Sequence, residues 1–282
     1  MGIAVLERLA ATTGAELLAT DARPERRALV NGLGAGWAPD NRSVAAAADV
    51  LLTLLPGSAE LRDAMGEATD GLRSGSTWID MTSADPQVAL ELMEHANWHG
   101  VSCLDAPIGG GPPAVRQGTA QLFVGGDRGV VEHQRRLLAT LGTIEHVGAQ
   151  GTGYASKLVV NLLWFTEAIA VVEALLLAKR RGVEIGALRE ALARSAASSA
   201  FLGRDLSRLL EGDYLTTFGL GRCVEELEAT VEMAEGHGLP CDLTRLVRDT
   251  YGLALARYGH VDGELLPVAM LEEQAGFKLA PE

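Results

Sequence analysis

The pattern of hydrophobic and polar positions changes near residue 150. Before this point, short apolar runs alternate with amphipathic stretches, whereas after it the apolar residues recur at helical spacing. Alternating strands and helices are typical of a doubly wound α/β sheet, and a series of helices without strands forms an all-α domain. The pattern therefore predicts an α/β domain over residues 1–151 and an all-α domain over residues 152–282.

The α/β part is predicted to begin with a helix over residues 2–14, because its apolar residues have helical spacing. A second helix is predicted to open at residues 22–26, where Pro24 suits a first helical turn. The run at residues 49–56 is apolar on both faces, as parallel strands covered by helices are. Strands are predicted at residues 15–20, 49–56, 77–81, 102–105, 121–124 and 143–147.

The all-α part is predicted to begin with one long helix over residues 152–181. It is apolar nearly all round and ends in basic residues before Gly182, which is typical of a helix C-terminus. At ~1.5 Å per residue such a helix is roughly 45 Å long, enough to leave one domain and carry a second. Further helices are predicted at residues 185–197, 199–211, 220–235, 242–258 and 267–275.

Composition and charge narrow the classes of partner. The chain has 282 residues, 48% of them hydrophobic, and a net charge of -13, so neither a nucleic-acid backbone nor an anionic membrane is expected as a partner. The three cysteines, Cys103, Cys223 and Cys241, are odd in number and far apart, which favours free thiols in a reducing cytoplasm over disulfides or a zinc site.

Two features resemble other kinds of site and are interpreted as ordinary structure. The apolar run at residues 158–178 contains Asn161 and Glu167, and therefore favours a buried helix over a membrane span. His95 and His99 stand four residues apart, as metal ligands on a helix can, but the sequence offers no third ligand. No metal site is therefore predicted.

The candidate chemistry lies at the start of the long helix. Gly151 and Gly153 precede Lys157 and Asn161, which stand four residues apart and hence on one helix face. A lysine and an amide placed together in an apolar setting can form an active-site pair. Spacing alone leaves the alternative open that they are a surface lysine and an amide that bridges helices.

Three segments in fixed order carry a family resemblance: Asp80–Pro86, Asp105–Gly111 and Gly148–Asn161. With them the chain resembles the β-hydroxyacid dehydrogenases, the group that contains 3-hydroxyisobutyrate dehydrogenase and glyoxylate/succinic semialdehyde reductases, over almost its whole length. The resemblance implies a Rossmann-like parallel sheet and an all-α domain joined by the long helix. It also implies an NAD(P)-dependent oxidoreductase that interconverts a small β-hydroxy acid and its semialdehyde or oxo form.

The resemblance assigns roles on the substrate side. Lys157 is expected to be the catalytic acid/base, and the substrate is expected to contact the following residues: Ser83, Gly109, Gly110, Gly111 and Asn161. The glycines would present backbone amides to the substrate carboxylate. The family usually has Ser at the position of Gly109 and the reverse order at Thr82 and Ser83. An ordinary Gly-Pro loop, and a cap on the following helix, remain the alternatives.

The resemblance assigns other residues to the cofactor. Asp21, at the end of a strand, would accept hydrogen bonds from the adenosine ribose and repel a 2′-phosphate, which favours NAD over NADP, although Arg23 weakens that preference. Leu55, Pro56 and Ser83 would cover the cofactor. Gly2 would be the last residue of the G-x-G-x-x-G turn. The first strand of the family is missing before it, so we expect a natural protein longer at its N-terminus.

The chain departs from the family in its helical part, and two alternative functions remain open. The family has Lys-Asp-Leu where this chain has Glu225-Glu226-Leu227, which reverses a charge near the cofactor. A cytoplasmic homodimer or homotetramer is expected. An imine reductase is an alternative, but those enzymes usually carry Asp or Tyr in place of Lys157. A non-catalytic oligomeric binding protein that has lost its cofactor is the alternative from another class.

Overall fold

A computed structural model describes residues 1–216 and 218–280. The chain forms two compact units, Met1–Lys157 and Leu158–Glu282. The units divide at residue 157, whereas the predicted boundary lies at residue 151. The first turn of the long helix belongs to the α/β unit, because the ring of Tyr154 packs in the core of that unit with Trp78.

The α/β unit contains a strand at each of the six predicted places, although the first strand is shorter than predicted. Residues 36–37 and 108–109 form two additional short strands. The strands are Leu18–Ala19 (β1), Gly36–Trp37 (β2), Val50–Thr53 (β3), Thr77–Asp80 (β4), Ser102–Asp105 (β5), Ile108–Gly109 (β6), Ala120–Gly125 (β7) and Gly142–Gly148 (β8).

The strands form two sheets rather than one. β1 and β2 pair in parallel as a two-stranded sheet, and the other six form a sheet with the order β3-β4-β5-β7-β6 in which β8 pairs with β7. β3, β4 and β5 are parallel, as predicted, but β7 joins β5 antiparallel. The second half of the predicted parallel sheet is therefore mixed.

Helices cover this sheet on both faces, so that two apolar clusters enclose it. One cluster contains Val5 and Leu104, and the other contains Met65 and Trp78. The helices of the α/β unit are Gly2–Thr12 (α1), Arg26–Gly32 (α2), Asn41–Ala47 (α3), Ser58–Ala68 (α4), Pro86–Trp98 (α5), Gly111–Gln117 (α6) and Arg128–Leu141 (α7), with a 3₁₀ turn at Thr69–Gly71.

The second unit is helical, apart from an isolated β-bridge between Gly219 and Asp262. The predicted helix over residues 199–211 is instead a π-helical turn, Phe201–Asp205, followed by a short α-helix. The long helix Thr152–Arg180 (α8) begins in the α/β unit and continues into the helical unit. The other α-helices of the helical unit are Ile185–Ala193 (α9), Leu206–Leu210 (α10), Leu220–Gly236 (α11), Asp242–Tyr258 (α12) and Leu266–Ala275 (α13).

α8 is the longest helix and passes from one unit into the other. By length and composition alone it could cross a bilayer, and 28% of its most apolar 18-residue window is buried within the chain. One face, with Ala168, Val172 and Leu175, packs in the helical core. Leu163 and Leu177 are exposed, so the predicted burial of this helix holds for one face only.

Candidate active site

The carboxyl ends of three parallel strands provide the floor of the candidate site. Thr53, Asp80 and Asp105 are aligned across β3, β4 and β5. The segments that follow these residues therefore leave the sheet at one edge, where α/β proteins bind their ligands. Leu55 and Thr82 meet there, because the backbone N–H of Leu55 donates to the Thr82 hydroxyl over 3.2 Å.

Thr82 and Ser83 have different roles at this edge. Thr82 is buried, and its own N–H donates to Asp80 Oδ1 over 3.1 Å. The cap of α5 is Asp85, whose carboxylate accepts from the N–H of Gln87. The alternative that Thr82 or Ser83 caps this helix is therefore wrong. Ser83 is half-buried and follows Thr82 in the chain, and its role toward cofactor or substrate stays a prediction.

The glycine turn is the start of a short helix rather than an open loop. Gly109 ends β6 and pairs with Gln121. Gly110 and Gly111 then adopt φ values of 93° and 70°, and a Cβ on Gly110 would lie 2.8 Å from that of Ala114. Because Pro112 and Pro113 have no N–H, they add no backbone donor here, and the predicted donors remain those of Gly109, Gly110 and Gly111.

The start of α8 is bound to β5 by a carboxylate. Asp105 is fully buried and accepts from the N–H groups of Gly151 over 2.8 Å and Tyr154 over 3.1 Å. A Cβ on Gly153 would overlap the carbonyl oxygen of Phe123 and lie 2.6 Å from Asp105 Oδ2. The glycine spacing before Lys157 thus permits close packing of the helix start on the sheet, and Lys157 follows one turn later, half-buried.

A second buried carboxylate holds the Tyr154 side chain. Asp80 Oδ2 accepts from the Tyr154 hydroxyl over 2.5 Å, and Asp80 Oδ1 accepts from the Thr53 hydroxyl over 2.6 Å. Burial raises the pKa of Asp80, against hydrogen bonds that lower it, and burial also raises the pKa of Asp105. Sequence reasoning missed this network, although both acids begin motifs that it singled out.

Asn161 lies in the helical unit, one turn after Lys157 along α8. Its Nδ2 donates to Glu226 Oε2 over 2.6 Å, and Glu226 is buried. The preceding acid, Glu225, is exposed and pairs with Arg222 over 2.5 Å. The two acids at the family's Lys-Asp positions therefore differ: Glu226 holds the Asn161 amide, and Glu225 lies on the surface beside a cation.

The start of α1 offers positive charge and space. A Cβ on Gly2 would meet no atom within 4 Å. The pKa of the Met1 amine is lowered by burial and then by Arg116, Arg26 and Arg23. Arg116 pairs with Glu7 and Arg23 with Asp21, so the positive charge near this helix start is partly balanced. A helix N-terminus with cations nearby favours a bound anion such as a diphosphate. The assignment of Gly2 to the pyrophosphate of a dinucleotide stays a prediction, and the charge near this helix start is compatible with it.

Asp21, which is predicted to bind the adenosine ribose, forms a salt bridge with Arg23. Arg23 donates to both of its carboxylate oxygens, over 3.0 Å from Nε and 3.1 Å from Nη2. These hydrogen bonds lower the pKa of Asp21, which is therefore ionised at neutral pH. The carboxylate can accept from a ribose hydroxyl, but the neighbouring guanidinium offsets its repulsion of a 2′-phosphate.

Taken together, these residues fit NAD(P) along the α/β unit, from the arginines near α1 to Ser83, three residues after the end of β4. Within residues 1–216 and 218–280, no group of three His, Cys, Asp or Glu side chains could hold a metal ion. His95 and His99 contact each other on α5, with their Nε2 atoms 3.3 Å apart.

Two family descriptions match the chain one after the other. Residues 1–151 match the NAD binding domain of 6-phosphogluconate dehydrogenase. Residues 151–269 match the NAD-binding domain of NADP-dependent 3-hydroxyisobutyrate dehydrogenase. Both matches describe proteins that use a nicotinamide dinucleotide.

Individual proteins agree with these matches. The 2-hydroxy-3-oxopropionate reductase of Escherichia coli K12 is 29% identical over 96% of this chain and 94% of its own. The structure of Mycobacterium tuberculosis 3-hydroxyisobutyrate dehydrogenase with L-serine superposes with a TM-score of 0.86 over 95% of this chain and 94% of that one, at 22% identity. The structure of a Streptomyces aurantiacus imine reductase superposes with a TM-score of 0.61 over 96% of this chain and 95% of that one, at 18% identity. This chain shares its fold with both structures, and by TM-score it is more similar to the dehydrogenase than to the imine reductase.

Proposed function

Because the chain belongs to the β-hydroxyacid dehydrogenase family of NAD(P)-dependent oxidoreductases, we propose that Lys157 is its catalytic acid/base. The observation that carries this proposal is the place of Lys157 in the fold. It follows the Gly151–Tyr154 turn, which two buried carboxylates bind to the ends of β4 and β5. A proton donor on a fixed helix start can be held in one geometry toward a reacting oxygen.

In this mechanism the residues of the chain bind and orient the substrate, and one of them transfers a proton. Bound NAD(P) supplies or accepts the hydride. Lys157 Nζ donates a proton to the carbonyl oxygen during reduction and takes the hydroxyl proton in the reverse direction. The bond from Asn161 Nδ2 to Glu226 fixes the orientation of the amide, which would hydrogen-bond the substrate.

The proposed substrate is a small carboxylate with a β-hydroxyl or β-oxo group. The amides of Gly110 and Gly111 would bind the carboxylate, helped by the hydroxyl of Ser83. Gly109 gives no side-chain donor there, and Pro112 and Pro113 give no backbone donor. We therefore propose a short substrate that needs few carboxylate contacts, such as 2-hydroxy-3-oxopropionate or 3-hydroxyisobutyrate.

For the cofactor we propose a modest preference for NAD over NADP. The charge of Asp21 disfavours a 2′-phosphate, and its salt bridge with Arg23 limits that effect. The ratio of the two dissociation constants, measured by titration, tests this. Asp21→Asn should move the ratio toward NADP and Arg23→Gln toward NAD; equal ratios in all three proteins would contradict the roles of both residues.

We also propose a homodimer or homotetramer in the cytoplasm. Leu243, Leu246 and Leu253 lie on one face of α12 and are each at least 60% exposed, which is unusual for such a row on a lone subunit. A second copy that covers this face would bury them. Leu246→Glu should lower the molecular mass measured by light scattering, and an unchanged mass would reject this interface.

The test of the function is a substrate panel with a matched lysine control. The purified chain is assayed with 2-hydroxy-3-oxopropionate and 3-hydroxyisobutyrate, with each cofactor, and with a cyclic imine. Lys157→Ala should lower kcat by about 10²–10⁴-fold with unchanged cofactor affinity. Lys179→Ala, on the same helix, removes a lysine that binds backbone carbonyls near residue 278 and should remain active. Retained activity in Lys157→Ala, or turnover of the imine alone, would reject the proposal.

A further inference from the structure

Two carboxylates lie side by side in the interior of the α/β unit. Asp80 and Asp105 are aligned partners at the ends of β4 and β5, and both are 0% exposed. Buried carboxylates are rare, and two in adjacent register positions require specific hydrogen bonds. Their bonds converge on one residue, Tyr154, three positions before Lys157.

Asp80 is bonded on both of its oxygens. Oδ1 accepts from the Thr53 hydroxyl and the Thr82 N–H, and Oδ2 accepts from the Tyr154 hydroxyl. Trp78 Nε1 in turn donates to the Thr53 hydroxyl oxygen over 2.9 Å, which orients that hydroxyl toward Asp80. The carboxylate thus fixes the Tyr154 ring to the ends of two strands.

Asp105 holds the backbone of the same turn. The first N–H groups of an α-helix have no partner within the helix, and a carboxylate satisfies them well. Here that carboxylate comes from a strand rather than from the residue before the helix, and it accepts from Gly151 and Tyr154. A Cβ on Gly125 would lie 2.5 Å from Asp105 Oδ1, so glycine at two positions makes room for this acid.

Tyr154 is therefore held twice, by its N–H at Asp105 and by its hydroxyl at Asp80. The first turn of α8 cannot rotate or slide without breaking one of these bonds. Lys157 lies within the next turn of the same helix, so its direction follows from that of Tyr154. Neither acid needs to touch the substrate to have this effect.

We infer that Asp80 and Asp105 are positioning residues, which act through Tyr154 to fix the start of α8 and with it Lys157. This inference rests on the proposed role of Lys157 as far as catalysis is concerned. The structural part of the inference does not depend on enzymatic activity. It states that the two acids hold the helix start and thereby control the surroundings of the Lys157 amine.

The test removes one oxygen and compares two tyrosines. Tyr154→Phe deletes the hydroxyl that donates to Asp80. Tyr251→Phe is the matched control, because Tyr251 is equally buried and its hydroxyl has no hydrogen-bond partner within the described residues. Because Lys157, Lys179 and Lys278 are the only lysines of the chain, labelling with an amine reagent and mass spectrometry follows each one separately.

In Tyr154→Phe we expect Lys157 to be labelled several-fold faster, with Lys179 and Lys278 unchanged, and faster amide exchange over residues 151–154. We expect kcat to fall by about tenfold or more with unchanged KM for the cofactor, since a displacement of about 1 Å can cost about 10²-fold in rate. Tyr251→Phe should match the wild type in all of these.

The arms of the experiment separate the two proposals. Wild-type labelling, exchange and kcat in Tyr154→Phe would overturn the inference. If Tyr154→Phe does not fold, Asp105→Asn serves. The N–H groups of Gly151 and Tyr154 donate to different oxygens of Asp105, and in Asn one of these oxygens becomes an NH2 group that cannot accept. The same pattern is expected, and wild-type behaviour would again overturn the inference. If Lys157→Ala is as active as the wild type, the proposed function fails, while labelling and exchange still decide the positioning.

Discussion

The two units of this protein bury acidic side chains in different ways. In the α/β unit, Asp80 and Asp105 lie together at the ends of adjacent strands, and Tyr154 binds both. In the helical unit the buried acids are dispersed: Asp205 accepts from Trp164, and Glu272 accepts from Tyr214 and from the N–H of Leu279.

This difference teaches where to look for function. Dispersed acids, each bonded to another element, keep helices and the C-terminal segment in place within a core made mainly of apolar and aromatic side chains. Two buried acids in one register position, bound to a residue three positions before a lysine, are a costly arrangement of the kind that functional sites contain. Glu226 is the exception in the helical unit, because it binds Asn161, which the family resemblance assigns to the substrate.

The largest effect is expected from breaking the apolar core of the helical unit. Phe165 is 2% exposed and packs against the rings of Tyr251 and Trp164, with centroids 4.9 and 5.5 Å away. Phe165→Ala should lower the free energy of unfolding by about 3–5 kcal/mol. Amide exchange should rise in α11 and α12 while β4 and β5 remain protected; equal deprotection of both units would contradict the division of the cores.

The next effect concerns the close packing of the α8 start on the sheet. Gly153→Ala places a Cβ against the Phe123 carbonyl and the Asp105 carboxylate, so we expect a loss of about 1–3 kcal/mol in the free energy of unfolding. Amide exchange in residues 151–154 locates the loss. An unchanged stability would show that the helix start has room to move away from β5.

The buried charge of Asp80 should be visible as a pH dependence. Its pKa is raised by burial, so the folded chain holds this proton more tightly than the unfolded chain, whose Asp pKa is about 3.9. The contribution of Asp80 to stability therefore falls as pH rises from about 3.9 to the raised value, by at most about 1.4 kcal/mol per pH unit.

Comparison with Asp80→Asn isolates this contribution, because other acids change equally in both proteins. Urea unfolding between pH 4 and pH 7 should show the wild type losing stability relative to Asp80→Asn as pH rises. A difference that stays constant, or that moves in favour of the wild type, would mean that hydrogen bonds outweigh burial at this carboxylate.

The smallest change in stability is expected at Gly252, which serves as the matched control for Gly153→Ala. Gly252 lies within α12, and a Cβ there would meet no atom within 4 Å. Gly252→Ala should therefore raise the free energy of unfolding by up to about 1 kcal/mol, since Ala favours a helix interior. A loss at this position would show that the helical unit tolerates less change than its packing indicates.

Much of the fold could be predicted from periodicity, and the exceptions have physical reasons. The apolar runs of β3, β4 and β5 and the periodic stretches of α8, α11 and α12 were long enough to be recognised. β2 has two residues, too few for any period. The antiparallel entry of β7 depends on pairing between distant residues, which no local pattern encodes.

For the candidate site, motifs identified the segments but not the bonds between them. Lys157, Asn161 and the glycine turn follow from spacing and resemblance. The double hold on Tyr154 joins residues 80, 105 and 154, and the Asn161–Glu226 bond joins two helices, so neither could be seen along the chain. Interactions of this kind are visible only once the strands are aligned and the helices packed.

The central claim, that Lys157 moves the proton, can be tested most directly by chemical rescue. If Lys157 is the proton donor, Lys157→Ala leaves a space beside the reacting oxygen that a small primary amine such as methylamine can enter. The claim predicts that turnover of 2-hydroxy-3-oxopropionate by Lys157→Ala is restored in proportion to the concentration of free amine, whereas Lys179→Ala does not respond. Turnover in Lys157→Ala equal to that of the wild type, without added amine, would contradict it.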